Sequence, residues 1–173
     1  YGKGIIAFIT NNSYLDGIIH RSMRKQLLDS FDEIYILNLH GNSRIKEKTP
    51  SGGIDKNVFD IQQGVAISIF VKTGEKKTAK IFYKDLWGLR EEKYEYLNKH
   101  VISNQDFIQI EPQANEFYFA KKDYALKSKW DSWLGLDKIF KNYVSGIESQ
   151  KDNICINWKN LIIEGEKLLS TIL

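Results

Sequence analysis

The chain has 173 residues, of which 42% are hydrophobic and 13% aromatic, so it is long and apolar enough for one packed domain with or without an appendage, and disorder is excluded. Lys and Arg number 25 against 22 Asp and Glu, a mildly basic balance that permits nucleic-acid contact without demanding it. The single cysteine, Cys155, excludes an internal disulfide and favours a reducing, cytoplasmic setting, and no apolar run reaches the roughly 18 residues of a membrane span.

Ile5 to Thr10, IIAFIT, is a continuous apolar run and predicts a strand buried on both faces. Asn11, Asn12 and Ser13 break it, and Asp16 is placed to cap a helix over about Gly17 to Ser30. Ile19, Met23 and Leu27 recur every four residues as the inner stripe of that helix, which leaves His20, Arg21, Arg24 and Lys25 mostly outside. A second strand, EIYILNL at Glu33 to Leu39, completes a strand–helix–strand unit expected to be parallel and right-handed. His40 to Asn57 reads as a loop with Gly41, Gly52, Gly53 and Pro50. A third strand spans Val65 to Lys72, and the turn at Thr73 to Lys77 predicts a hairpin with the next strand, AKIFYKDL. Leu89 to Lys99 is a charged helix.

Past residue 100 the character changes. FIQIEP and EFYFAKK are short strand candidates, Trp130 and Trp133 follow, and a short helix is expected over about Leu136 to Tyr143. ICINW at Ile154 to Trp158 alternates like a strand, and a last helix begins near Lys159. A soft division falls between residues 1–104 and 105–173. The only methionine is Met23, the first strand starts almost at once, and the end is apolar (Leu168, Leu169, Ile172, Leu173). These features lead to the expectation of a piece of a longer polypeptide.

Three segments carry a resemblance: GIIAFITNNSYLDG, MRKQLLDSFDEIYILNLHGNSR and GGIDKNVFDIQQGVAISIFVK. Together they resemble the second half of the catalytic domain of adenine-specific DNA methyltransferases. The match is to those fused into type IIG and type I single-polypeptide restriction-modification enzymes. It covers about Gly4 to Lys72; GLDKIFKNYVSGIESQKDNICI more weakly resembles the join to a target-recognition region.

The resemblance implies a fold: the C-terminal part of a Rossmann-like methyltransferase sheet, followed by a mixed α+β region. In it Val65 to Lys72 inserts antiparallel as the last strand. It also implies a reaction, methyl transfer from S-adenosylmethionine to adenine in DNA. Neither the Gly-rich cofactor turn nor the Asn-Pro-Pro-Tyr-type motif of that family is present. The chain by itself is therefore expected to be inactive and to bind no cofactor, with no catalytic residue of its own. Its expected partners are DNA, the missing N-terminal half of the domain and a target-recognition domain. A non-enzymatic DNA- or protein-binding module on a degenerate scaffold, or a connector between domains, stands as the alternative.

Phe59 resembles the aromatic residue that stacks on the flipped adenine in that family; read from the sequence alone, a core phenylalanine at the start of a strand is the favoured reading. Arg44, Lys46, Lys48 and Lys56 could contact DNA phosphates, although Glu47 and Asp55 dilute their charge. His40 has no nucleophile pattern beside it and reads as a residue that orders its loop. No Cys/His spacing points to a metal. Trp130 and Trp133 fit packing at a domain join better than base stacking.

Overall fold

A computed structural model describes residues 2–75, 78–101 and 106–139. Expectations for residues 140–143, Ile154 to Trp158, the final helix and Cys155 lie outside the described residues. The chain divides into two compact units, Tyr1–Tyr124 and Ala125–Leu173. The first is a mixed α/β unit built on a five-stranded sheet of order β1-β3-β2-β4-β5. Its strands are β1 (Gly4–Asn11), β2 (Glu33–His40), β3 (Val65–Lys72), β4 (Lys80–Asp85) and β5 (Ile108–Ile110). Two helices, α1 (Arg21–Ser30) and α2 (Arg90–Lys99), belong to this unit.

β3 pairs antiparallel with both β1 and β2, so those two run in the same direction with β3 inserted between them. They do not pair directly, as an adjacent parallel unit would. β4 pairs parallel with β2, and β5 antiparallel with β4. The expected β3–β4 hairpin is therefore not formed; the chain steps across the end of β2. Asp32 anchors that crossing. Its Oδ2 accepts from the Thr73 amide at 2.6 Å and hydroxyl at 2.8 Å, and its carbonyl accepts from the Lys80 amide at 2.9 Å.

β2 is central, and its alternation fills both sides. Ile34 and Ile36 join Tyr14, Leu15, Phe70, Ile81 and Phe119 in one core cluster, while Leu37 and Leu39 join Val58 and Val65 in the other. β1 departs from its expectation: it is an edge strand, and Ile5, Ile6, Phe8 and Ile9 remain 70%, 52%, 42% and 49% exposed. The predicted first helix starts late. Two short 3-10 turns, Asn12–Leu15 and Ile18–His20, precede α1, and Asp16 pairs with Lys122 at 2.7 Å rather than capping it.

The predicted inner stripe holds only at its end, where Leu27 packs against the core with Leu28 and Phe31 beside it. Ile19 and Met23 are exposed, and Arg24, expected outside, is fully buried. Its guanidinium is buried against backbone carbonyls: Nη1 donates to Tyr14 and Gly17 at 2.8 and 2.7 Å, and Nε donates to Phe117 at 2.8 Å. EFYFAKK forms no strand. Its Phe119 plugs the core edge-on to Tyr14, with centroids 6.5 Å apart, and its amide donates to the Leu15 carbonyl. β5 and Phe119 thus belong to the first unit, past residue 104.

Within the second unit, α3 (Lys127–Asp131) and α4 (Leu136–Ile139) are short. Trp130 and Trp133 lie against each other at 5.2 Å and are both exposed.

Candidate nucleic-acid interface

β1, β2 and β4 point their carboxyl ends toward one rim of the sheet, where α/β sheets place their ligand sites. The β2–β3 connection, residues 41–64, sits on this rim. Its first turn is enforced at Gly41, whose φ of +83° is hostile to a side chain. A Cβ there would also fall 2.4 Å from the Asn57 Cα.

His40, at the end of β2, orders the start of the loop. Its Nε2 meets Asp85 Oδ1 at 2.7 Å, its Nδ1 meets Glu47 Oε1 at 3.0 Å, and its ring stacks on Trp87 with centroids 3.3 Å apart. Burial is the largest single influence on His40 and pulls its pKa down, but the hydrogen bonds and charges of Asp85 and Glu47 outweigh it and leave the pKa raised. Beside it Asn12 donates to Asn38 at 3.0 Å, Asn38 to the Tyr83 hydroxyl at 3.1 Å, and Tyr83 to Asp85. Burial, then the bond to Asp85, holds the Tyr83 phenol neutral. This polar chain lines a cleft of about 600 Å³ at the ends of the three strands.

A second cavity, of about 560 Å³, lies within the loop itself. Lys46, Lys48, Lys56 and Arg90 line it together with Phe59 and the acidic Glu47, Asp55 and Asp60. Phe59 is 41% exposed and stands outside both core clusters. Its turn is braced from both sides. Asn57 Oδ1 accepts from the Phe59 amide at 2.8 Å, while Asn57 Nδ2 donates to the carbonyls of Gly41 and Gln63 at 3.1 and 2.6 Å. From α2, Lys93 Nζ donates to Lys56 O at 2.7 Å, Arg90 Nε to Asn57 O at 2.8 Å, Tyr94 to Val58 O, and Arg90 Nη2 to Phe59 O at 3.0 Å. Arg90 also pairs with Asp60 at 2.7 Å.

Of the residues singled out by sequence, the fold brings Lys46, Lys48, Lys56 and Phe59 to one cavity. Arg44 lines the neighbouring cleft, where its Nε donates to Gln62 at 3.2 Å. Asp55, read as a diluting charge, is buried and binds Lys93 Nζ at 2.7 Å. Sequence reasoning missed Arg90, Lys93 and Tyr94. The signal was their i, i+3, i+4 spacing, which puts three donors on one face of a helix.

The described residues thus define a mixed α/β unit with a charged, aromatic-bearing cavity on a loop at the carboxyl ends of its parallel strands. Among solved structures, the chain is similar to the ATP-dependent Type ISP restriction-modification enzyme LlaBIII bound to DNA. Identity is 31% and the TM-score 0.57, over 73% of this chain and 9% of that one. It is also similar to a nuclease-deletion mutant of the Type ISP restriction-modification enzyme LlaGI in complex with a DNA substrate mimic. Here identity is 28% and the TM-score 0.60, over 74% and 12%. A DrdV–DNA complex is similar at 29% identity and a TM-score of 0.58, over 71% and 12%. The similarity relates the chain to Type ISP restriction-modification enzymes, and it spans about a tenth of the length of these structures. No protein-family model and no curated protein matches the chain.

Proposed function

We propose that this chain is a DNA-facing part of an adenine-specific DNA methyltransferase within a single-polypeptide restriction-modification enzyme. One observation carries the reading. In a chain related to such enzymes, a half-exposed Phe59 on a braced turn borders the same cavity as Lys46, Lys48 and Lys56. The exocyclic amine of adenine is paired inside the duplex, so its methylation requires an extrahelical base. In this reading Phe59 stacks on that base, and the three lysines neutralise phosphates beside it.

S-adenosylmethionine is the methyl donor in this reading. This reading does not place its cradle in the described residues. The turn after β1 carries Asn12, Tyr14 and Leu15, the last two buried in the core, where a glycine-rich turn would leave backbone open to a ligand. The donor's site and the base-holding motif are assigned to the preceding half of the domain, and the exposed apolar side chains of β1 support a protein partner on that edge. A target-recognition domain and a cytoplasmic setting complete the proposal. Among the described residues no helix is long and apolar enough to cross a membrane.

The chain's affinity for mixed-sequence duplex DNA should fall with salt at a log–log slope of about −3, the value for three neutralised phosphates. Replacing Lys46, Lys48 and Lys56 together by Ala should flatten it, and Arg44→Ala should change it less. A steep slope that survives the triple substitution would place the DNA contact elsewhere.

A further inference from the structure

We propose that Arg90 is a positioning residue that fixes how the Phe59 ring is presented to an extrahelical adenine, an inference that rests on the base-stacking reading above. The carbonyls of Lys56, Asn57, Val58 and Phe59 are four consecutive acceptors. Each receives a side-chain donor from one face of α2: Lys93, Arg90, Tyr94 and Arg90 in turn. Unaided, a turn in a polar loop would surrender its freedom only when a base arrived, at a cost to affinity. Tied to a helix, it is ordered beforehand.

The three donors differ in what they hold. Lys93 is fully buried and also bonds Leu39 O and Asp55, so it holds the fold. The Arg90 side chain stands at the cavity rim, 34% exposed, and reaches the carbonyl of Phe59 itself as well as the exposed carboxylate of Asp60. The planar guanidinium reaches its acceptors from separate nitrogens in a fixed fork, Nε to Asn57 O and Nη2 to Phe59 O and Asp60, a spread that the single nitrogen of a lysine at this position does not reproduce. Water can replace Arg90 at such a rim, so its loss should loosen the turn while the fold survives.

A double-mutant cycle in the full-length polypeptide carrying this chain tests the proposal. Single-turnover methylation of mixed-sequence duplex DNA would be measured alongside thermal unfolding. Arg90→Ala should slow methylation about 10-fold, within the range that losing one base stack spans. In a Phe59→Ala background it should slow it no further. Arg90→Lys should not restore the rate, and Tyr94→Phe, which removes only the Val58 bond, should show a smaller loss of the same kind. The salt slope of DNA binding should stay unchanged in Arg90→Ala.

Losses that multiply in the double variant would overturn the positioning role, as would a salt slope lowered by about one, which marks a direct phosphate contact. A collapse of the melting temperature in both Arg90→Ala and Tyr94→Phe would return these residues to the fold. If Phe59→Ala itself leaves methylation unchanged, the base-stacking reading fails, a result distinct from multiplying losses, and the proposal falls with it.

Discussion

His40 shows how much one residue organises here and how little of that is written around it. The loop-ordering role is legible from the absence of a nucleophile pattern. The partners are not: Glu47 lies seven residues on and Asp85 forty-five, and only the fold brings them to opposite nitrogens of the ring. The arrangement has a pH signature. His40 is raised above its ordinary 6.5, so its stabilisation is full below 6.5 and is lost as pH rises through the higher folded value. For Glu47, burial pushes upward, but the bond and charge of His40 and the Asn42 amide prevail and hold it below 4.5. Its contribution is therefore present above 4.5 and lost as pH falls through the lower folded value. Both contributions coexist between 4.5 and 6.5. Calorimetric melting of the chain should fall as pH rises above 6.5. His40→Asn, which tolerates the same positive φ, should flatten that limb. An equal slope in the variant would assign the effect to another group. Phe59 is the converse case. Its exposure is set by Asn57 and α2, and from sequence its role rested on resemblance alone.

At the scale of elements, periodicity located the strands well, because β2, β3 and β4 alternate or run apolar over their whole lengths. Their order was less legible. A seven-residue connection suits a hairpin, yet Asp32 captures Thr73 and carries the chain past β2. The α1 stripe, which holds at Leu27, failed at Ile19 and Met23 for a different reason. The backbone before α1 is two 3-10 turns whose Tyr14 and Gly17 carbonyls accept from Arg24, so a residue that pattern reading puts in water is buried. α2 repeats this on the other side with Lys93, which is buried against Asp55 and the carbonyls of Leu39 and Lys56. A charged helix reads as solvated until the acceptors it faces are known. Lys93→Met should strand the Asp55 carboxylate in the interior and cost about 3–5 kcal/mol in urea unfolding, the usual range for breaking a buried pair from one side. Lys99→Ala, which loses only an exposed pair with Glu95 on the same helix, should leave the unfolding midpoint unchanged. A small effect of Lys93→Met would mean that the clamp on the Phe59 turn is dispensable to the fold.

At the scale of the whole molecule, β1 and the comparisons bear on each other. An IIAFIT run reads as a strand buried on both faces, and this composition is suited to such a place. In the described residues it is an edge whose isoleucines face water. A long, apolar, unpaired edge is a liability that folded proteins normally cover. The chain also spans about a tenth of the restriction-modification structures it resembles. The central claim is that such a larger protein methylates adenine in DNA with Phe59 against the flipped base. The most direct measurement is methyl transfer from labelled S-adenosylmethionine to DNA by the full-length polypeptide, with the modified base identified by mass spectrometry, for wild type and Phe59→Ala. N6-methyladenine should form with the wild type. Phe59→Ala should slow its formation by roughly 5- to 150-fold, the worth of about 1–3 kcal/mol of stacking, with melting nearly unchanged. No methylated adenine from the wild type, or a Phe59→Ala variant that melts early yet methylates normally per folded molecule, would contradict the account.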